Sequence, residues 1–102
     1  MIDSYIILSY DIFLHKIYKS GNLFIIASIG NEAEIQKTDN AVELAVYLKN
    51  EIQGYPLIEL QFQSNKLKTS KTKRFKINKL IRETNDKDIT VKVLKHYINL
   101  LF

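Results

Sequence analysis

The sequence predicts an α+β domain of two layers: a four-stranded, mainly antiparallel sheet under two helices, in the order ββαββα. Three observations lead there. The 102 residues are one domain's worth of chain, so 1–102 reads as a single domain. Its 46% hydrophobic and 25% charged residues are the proportions of a folded soluble domain. Stretches of period two, rich in β-branched and aromatic residues, are twice followed by stretches of helical period, and each needs the other to bury its apolar side.

Tyr5 to Tyr18 alternates Ile6, Leu8, Tyr10, Ile12 and Leu14 with Ile7, Ser9, Asp11, Phe13 and His15. Period two in residues that suit a pleated surface predicts one strand with unequally buried faces. Lys19-Ser20-Gly21-Asn22 is a turn. Leu23 to Ile29 is apolar on both sides and predicts a central strand covered twice. Gly30-Asn31-Glu32 predicts a break or bulge, with Ala33 and Ile35 continuing the strand. Helix 39–53 follows, capped by Thr38 or Asp39, with Ala41, Leu44, Ala45, Leu48 and Ile52 on one face and Gly54 as its left-handed stop.

Leu57 to Gln63 alternates Ile58, Leu60 and Phe62 against Glu59, Gln61 and Gln63, a strand buried on one face. Phe75 and Ile77 against Arg74, Lys76 and Asn78 extend this to a hairpin, 57–68 and 72–81, turning near Thr69-Ser70-Lys71. A helix over 75–84 competes for the second half. The last element is a helix capped by Asp86 or Asp88, with Ile89, Val93, Tyr97 and Leu100 or Leu101 as its apolar stripe. Its β-branched residues lower its propensity, so packing must hold it.

Composition excludes several classes. With no Cys, disulfide scaffolds and Cys-ligated zinc sites are out. The longest apolar stretch, Tyr5 to Leu14, is about half of the ~20 residues that a membrane helix needs. The start, Met1-Ile2-Asp3-Ser4, has no positive region typical of a secretory signal, so the expected location is cytoplasmic and no membrane partner is expected.

Charge is the informative feature. Residues 1–65 hold four basic and eight acidic side chains; residues 66–102 hold eleven basic and three acidic. Lys66, Lys68, Lys71, Lys73, Arg74, Lys76, Lys79 and Arg82 occur with no acid among them. Such a block attracts polyanions, and charge asymmetry between halves points to nucleic acid. The competing reading is compositional: Lys outnumbers Arg 13 to 2, as an Ile-, Asn- and Lys-rich sequence produces, whereas base and phosphate recognition favours the Arg fork.

Catalytic chemistry finds no foothold in the sequence. Three isolated glycines make neither a P-loop nor a dinucleotide fingerprint. His15 and His96 lack metal-ligand spacing; as members of one strand, His15 and Asp11 would stand roughly 13 Å apart. Glu32, Glu34 and Asp39 cluster, but read as a solvated loop. Phe75, Tyr55 and Phe62 are candidates to stack on bases, against the alternative that Phe62 and Phe75 pair in the core. No catalytic residue, metal ligand or cofactor is therefore expected.

The expected function is a small non-enzymatic binding protein that contacts nucleic acid, or a nucleoprotein complex, through the basic hairpin at 66–82. The site residues are those eight basic side chains, and the contacts go mainly to phosphates. The alternative is a protein-binding inhibitor, immunity or counter-defence protein of phage or mobile-element type, using its dipolar surface for steering. A homodimer through an exposed edge strand, with Tyr5–Tyr18 as the candidate, or through Leu100-Leu101-Phe102, is compatible with either.

Overall fold

The computed structural model describes residues 4–30, 35–84 and 88–102. The α+β class holds, but among the described residues one antiparallel sheet of six strands, not four, lies under three helices, not two. The chain runs β1 (Tyr5–Tyr10), β2 (Phe13–Ser20), β3 (Leu23–Ser28), β4 (Ile35–Thr38), α1 (Ala41–Ile52), β5 (Leu57–Ser64), β6 (Thr69–Lys76), α2 (Ile77–Thr84) and α3 (Ile89–Leu101). In space the strand order is β4-β3-β2-β1-β5-β6, so residues 5–18 lie inside the sheet and not at its edge, because β5 pairs with β1 and β3 with β2. The first four strands form a meander. α1 then carries the chain back so that β5 pairs with the free side of β1, and β6 closes that end as an edge strand.

The two extra strands come from turns that the alternating pattern conceals. The single strand expected over 5–18 is a hairpin, with Asp11 at φ +50° beginning a two-residue turn between Tyr10 and Phe13. A two-residue interruption preserves the count of two yet exchanges the faces, because the chain reverses direction. Ile12, expected to share a face with Leu8, is therefore 83% exposed at the tip, while His15 and Ile17 turn into the core. The expected continuation through Ala33 and Ile35 is likewise a separate strand, β4, antiparallel to β3. Asn31, Glu32, Ala33 and Glu34 lie outside the described residues, as does Asp86.

The helices sit on one face only. That closed face presents Ile6, Leu8 and Tyr10 from β1, Ile17 from β2, Phe24 and Ile26 from β3, and Ile58, Leu60 and Phe62 from β5. Leu44, Ala45, Leu48 and Ile52 of α1, and Leu94, Ile98 and Leu101 of α3, complete the core. β3 is accordingly covered once, not twice: Ile25 and Ala27 are half-buried and Leu23 is exposed on its other side.

The cap of α1 is Asn40, one residue beyond the expected pair; its Oδ1 accepts from the Val42 and Glu43 amides. Thr38 acts one step earlier, accepting from the Asn40 amide. Gly54, at φ +91°, lets the chain leave α1 through a conformation that a Cβ disfavours.

The basic hairpin is shorter than expected. Its strands are Leu57–Ser64 and Thr69–Lys76, and its turn spans 65–68, not 69–71. The chain becomes helical at Ile77, so the competing helix describes 77–84 better than a strand does. In α3 the buried stripe is Thr90, Leu94, Ile98 and Leu101, one residue on from the expected one, which is about 100° around the helix. Packing against α1 and the sheet at once chooses that stripe, and Val91 and Tyr97 flank it half-buried. Asp88 stands at the N-cap position without a side-chain cap bond; its carboxylate meets Lys49 at 3.8 Å.

Candidate nucleic-acid interface

All eight predicted basic residues lie at one end of the molecule, on the edge strand and the elements next to it. They do not line a single face. Lys66 and Lys68 sit in the β5–β6 turn, with Lys68 at φ +50°. On β6 the side chains alternate. The register pairs Lys71 with Phe62 and Lys73 with Leu60, which places both lysines on the closed-face side, beyond the reach of the helices. Arg74 opposite Glu59, and Lys76 opposite Leu57, stand on the other side. Lys79 and Arg82 follow on α2. The charge therefore wraps around an edge, because a strand sends successive side chains to opposite faces.

These groups are exposed and sparsely neutralised. Arg74 Nε donates to Glu59 Oε2 at 2.8 Å. The Lys66 ammonium donates to the Asn99 carbonyl at 3.3 Å, and Arg82 Nε to the Asn78 carbonyl at 3.3 Å. Lys68, Lys71, Lys73 and Lys76 have no carboxylate partner among the described residues. Charged side chains on an edge also block pairing with another sheet.

The aromatic candidates pack in or against the core, the alternative already weighed for Phe62 and Phe75. Phe62 is buried, and Phe75 pairs with Ile58 rather than Phe62; both rings pack on Tyr97 at 6.3 and 5.6 Å between centroids. Tyr55 packs on Tyr10 and Phe13. These three are core aromatics. Sequence reasoning missed Tyr5 and Tyr18, which are paired across β1 and β2 on the face that no helix covers among the described residues. Parity in β1 was the available signal: Tyr5 and Ile7 alternate with buried Ile6 and Leu8. The Lys16 ammonium lies over both rings, 5.3 Å from the Tyr5 centroid and 5.8 Å from that of Tyr18.

On the closed side, a polar chain threads the core. Ser28 Oγ is 2.9 Å from His15 Nδ1, His15 Nε2 is 2.6 Å from the Tyr10 hydroxyl, and that hydroxyl is 3.4 Å from Glu51 Oε2. His15 thus does not share a strand with Asp11, which lies in the β1–β2 turn; it is buried against Tyr10. Burial holds the imidazole below its usual pKa against the opposing pull of the Glu51 carboxylate. Burial, reinforced by that carboxylate, pushes the Tyr10 phenol up to about 12. Both groups are neutral near pH 7, and the chain ties β1, β2 and β3 to α1.

A cleft of about 300 Å³ opens between the end of α1 and the starts of α2 and α3, lined by Ile52, Tyr55, Ile77, Asn78 and Thr90 among others. It takes in Lys49 but none of the basic residues of β6. Among the described residues no group of three His, Asp or Glu side chains gathers to hold a metal, and no helix is long and apolar enough to cross a membrane. Compared with known proteins, the chain matches no family model, no curated protein and no solved structure.

Proposed function

We propose that this is a non-enzymatic nucleic-acid-binding protein, or the nucleic-acid-contacting part of a nucleoprotein complex. It grips the phosphate backbone with Lys66, Lys68, Lys71, Lys73, Arg74, Lys76, Lys79 and Arg82. One observation carries the reading. The edge strand bearing Lys71, Lys73, Arg74 and Lys76 is exposed along nearly its whole length and bracketed by further basic groups in the turn and in α2. Six of the eight are lysines, point charges on flexible stems rather than forks that read base edges, which supports contacts that neutralise phosphates and carry little sequence information.

The test is binding to short duplex and single-stranded oligonucleotides across a salt series. Each phosphate neutralised steepens the fall of log K with log salt by about 0.9 on duplex and 0.7 on single strands. The Lys68→Glu/Lys71→Glu/Lys73→Glu variant leaves the Arg74–Glu59 pair intact and keeps the edge charged. It should abolish binding; unchanged affinity in that variant ends the proposal.

A specific observation also favours the second reading, a protein-binding inhibitor or counter-defence protein. Ile12, Phe13, Leu14 and Ile29 form an exposed apolar corner, with Ile29 58% exposed and its amide bonded to the Leu14 carbonyl. Exposed apolar patches mark protein contacts. Ile12→Asp/Ile29→Asp removes that corner without touching the basic edge. Loss of a nuclease-resistant partner with retained oligonucleotide binding would assign the corner to a protein.

A further inference from the structure

The uncovered face of the sheet is a second surface, different in chemistry from the basic edge. Its side chains form rows across the strands. One row runs Lys37, Ile25, Tyr18, Tyr5, Gln63, Ser70 from β4 to β6. The next holds Ala27, Lys16, Ile7, Gln61 and Thr72, and the one after it ends on Glu59 and Arg74. At the usual strand spacing, six strands make a platform about 24 Å wide.

Three properties of this face limit what can cover it. Its centre is aromatic and aliphatic, with Tyr5 and Tyr18 side by side and Ile25 and Ile7 next to them. Its charged side chains are Lys16, Lys37, Arg74 and Lys76, and the acid set among them, Glu59, is engaged by Arg74. Around the rings stand amides and hydroxyls, from Gln61, Gln63, Ser70 and Thr72, which both donate and accept hydrogen bonds. Planar apolar groups joined by an anionic backbone and edged with donors and acceptors match all three.

We infer that the open face is a stacking platform for single-stranded nucleic acid. Two unstacked bases lie on Tyr5 and Tyr18, Gln61 and Gln63 contact base edges, and the backbone leaves the sheet across Arg74 and Lys76 onto the basic edge. The inference rests on the phosphate-binding reading above and adds the strandedness of the ligand. A duplex keeps its bases stacked on one another and cannot offer them to a flat sheet, whereas a single strand can. Lys16 has a defined part. Its ammonium occupies the space above both rings in the free protein; an arriving base displaces it, and it turns to the phosphate between the two stacked nucleotides.

The experiment compares three probes at fixed salt: a labelled single-stranded oligomer of about 15 nucleotides, as DNA and as RNA, the matching duplex, and inorganic polyphosphate, which has charge but no bases. The chain has six Tyr and no Trp, so quenching of tyrosine emission on binding reports stacking directly. The platform predicts tighter binding to the single strand than to the duplex, with quenching by oligonucleotide and none by polyphosphate. Tyr5→Ala/Tyr18→Ala should weaken single-strand binding by about tenfold or more and leave polyphosphate binding unchanged. Tyr5→Phe/Tyr18→Phe keeps the rings and should retain wild-type affinity, which guards against a misfolded alanine variant.

Each other outcome overturns the inference. Equal affinity for all probes, lost in the Lys68/Lys71/Lys73 variant but not in the tyrosine variants, leaves the basic edge as the whole site and removes the platform. Failure of every probe to bind removes both readings. A dimer by light scattering that the alanine variant splits assigns the face to a second copy of the chain instead.

Discussion

Leu8 and Ile7 are neighbours in sequence and sit on opposite sides of one strand. Leu8 is fully buried beneath the helices, while Ile7 stands half-buried on the open face. That contrast extends over the whole sheet. Beneath the helices the closed face is aliphatic and aromatic packing crossed by the polar chain Ser28–His15–Tyr10–Glu51, whose members are joined by hydrogen bonds. The open face mixes Tyr, Gln, Thr and Lys with half-buried Ile7, Ile25 and Ala27 at the same strand positions shifted by one. Identical backbone geometry thus supports two surfaces, and the side-chain chemistry separates the one that holds the fold from the one free to meet a ligand.

The sharpest way to break this contrast is to truncate both neighbours. Leu8→Ala should cost about 2–5 kcal/mol, since it removes buried methyl groups and leaves a cavity. Ile7→Ala should cost about 1 kcal/mol or less. Urea denaturation curves measure both, and equal losses would mean that the open face is also packed. Next in size is Tyr10→Phe, which deletes the hydroxyl between His15 and Glu51 and strands a buried ring nitrogen. A loss of about 1–3 kcal/mol is expected, read as a lower urea midpoint with an unchanged slope.

The same polar chain gives the closed face a pH signature. His15 is held below its usual pKa of 6.5, so below about that pH the unfolded chain takes up a proton that the folded protein refuses. Stability should fall as the pH drops through this range and level off below the folded value; in His15→Gln this contribution disappears. At the other extreme, the Tyr10 phenol is raised from 10.0 to about 12. Its contribution is complete below pH 10 and is lost as the pH rises toward 12, where the unfolded phenol ionises first. Thermal melts across both ranges, with Tyr10→Phe as the control at high pH, test the two limbs separately. The smallest effect belongs to the open face: Lys16→Met, which removes the ammonium from Tyr5 and Tyr18, should change stability by about 0.5–1 kcal/mol.

How far the site was legible follows from the same faces. The eight basic residues are a run along the chain, so sequence reveals them together; their spread over two sides of β6 and into α2 depends on where the strand ends, at Lys76. The core alternative holds for Phe62 and Phe75 for a related reason. Phe62 and Phe75 lie near the basic run in sequence but on the buried parity of β5 and β6. Tyr5 and Tyr18 lie far from that run and reach its neighbourhood only because β5 returns to pair with β1.

Periodicity alone determined the strongest elements. α1 keeps its stripe of Leu44, Ala45, Leu48 and Ile52, and β5 buries Ile58, Leu60 and Phe62, because a helix or strand with one apolar side has a single way to hide it. Three things were left to the tertiary structure: the reversal at Asp11-Ile12, the one-residue rotation of α3, and which side of β3 goes uncovered. Each of these segments is apolar on more than one side. Local pattern is then degenerate, and only the helices' choice of a single face of the sheet decides which residues are buried and which remain exposed.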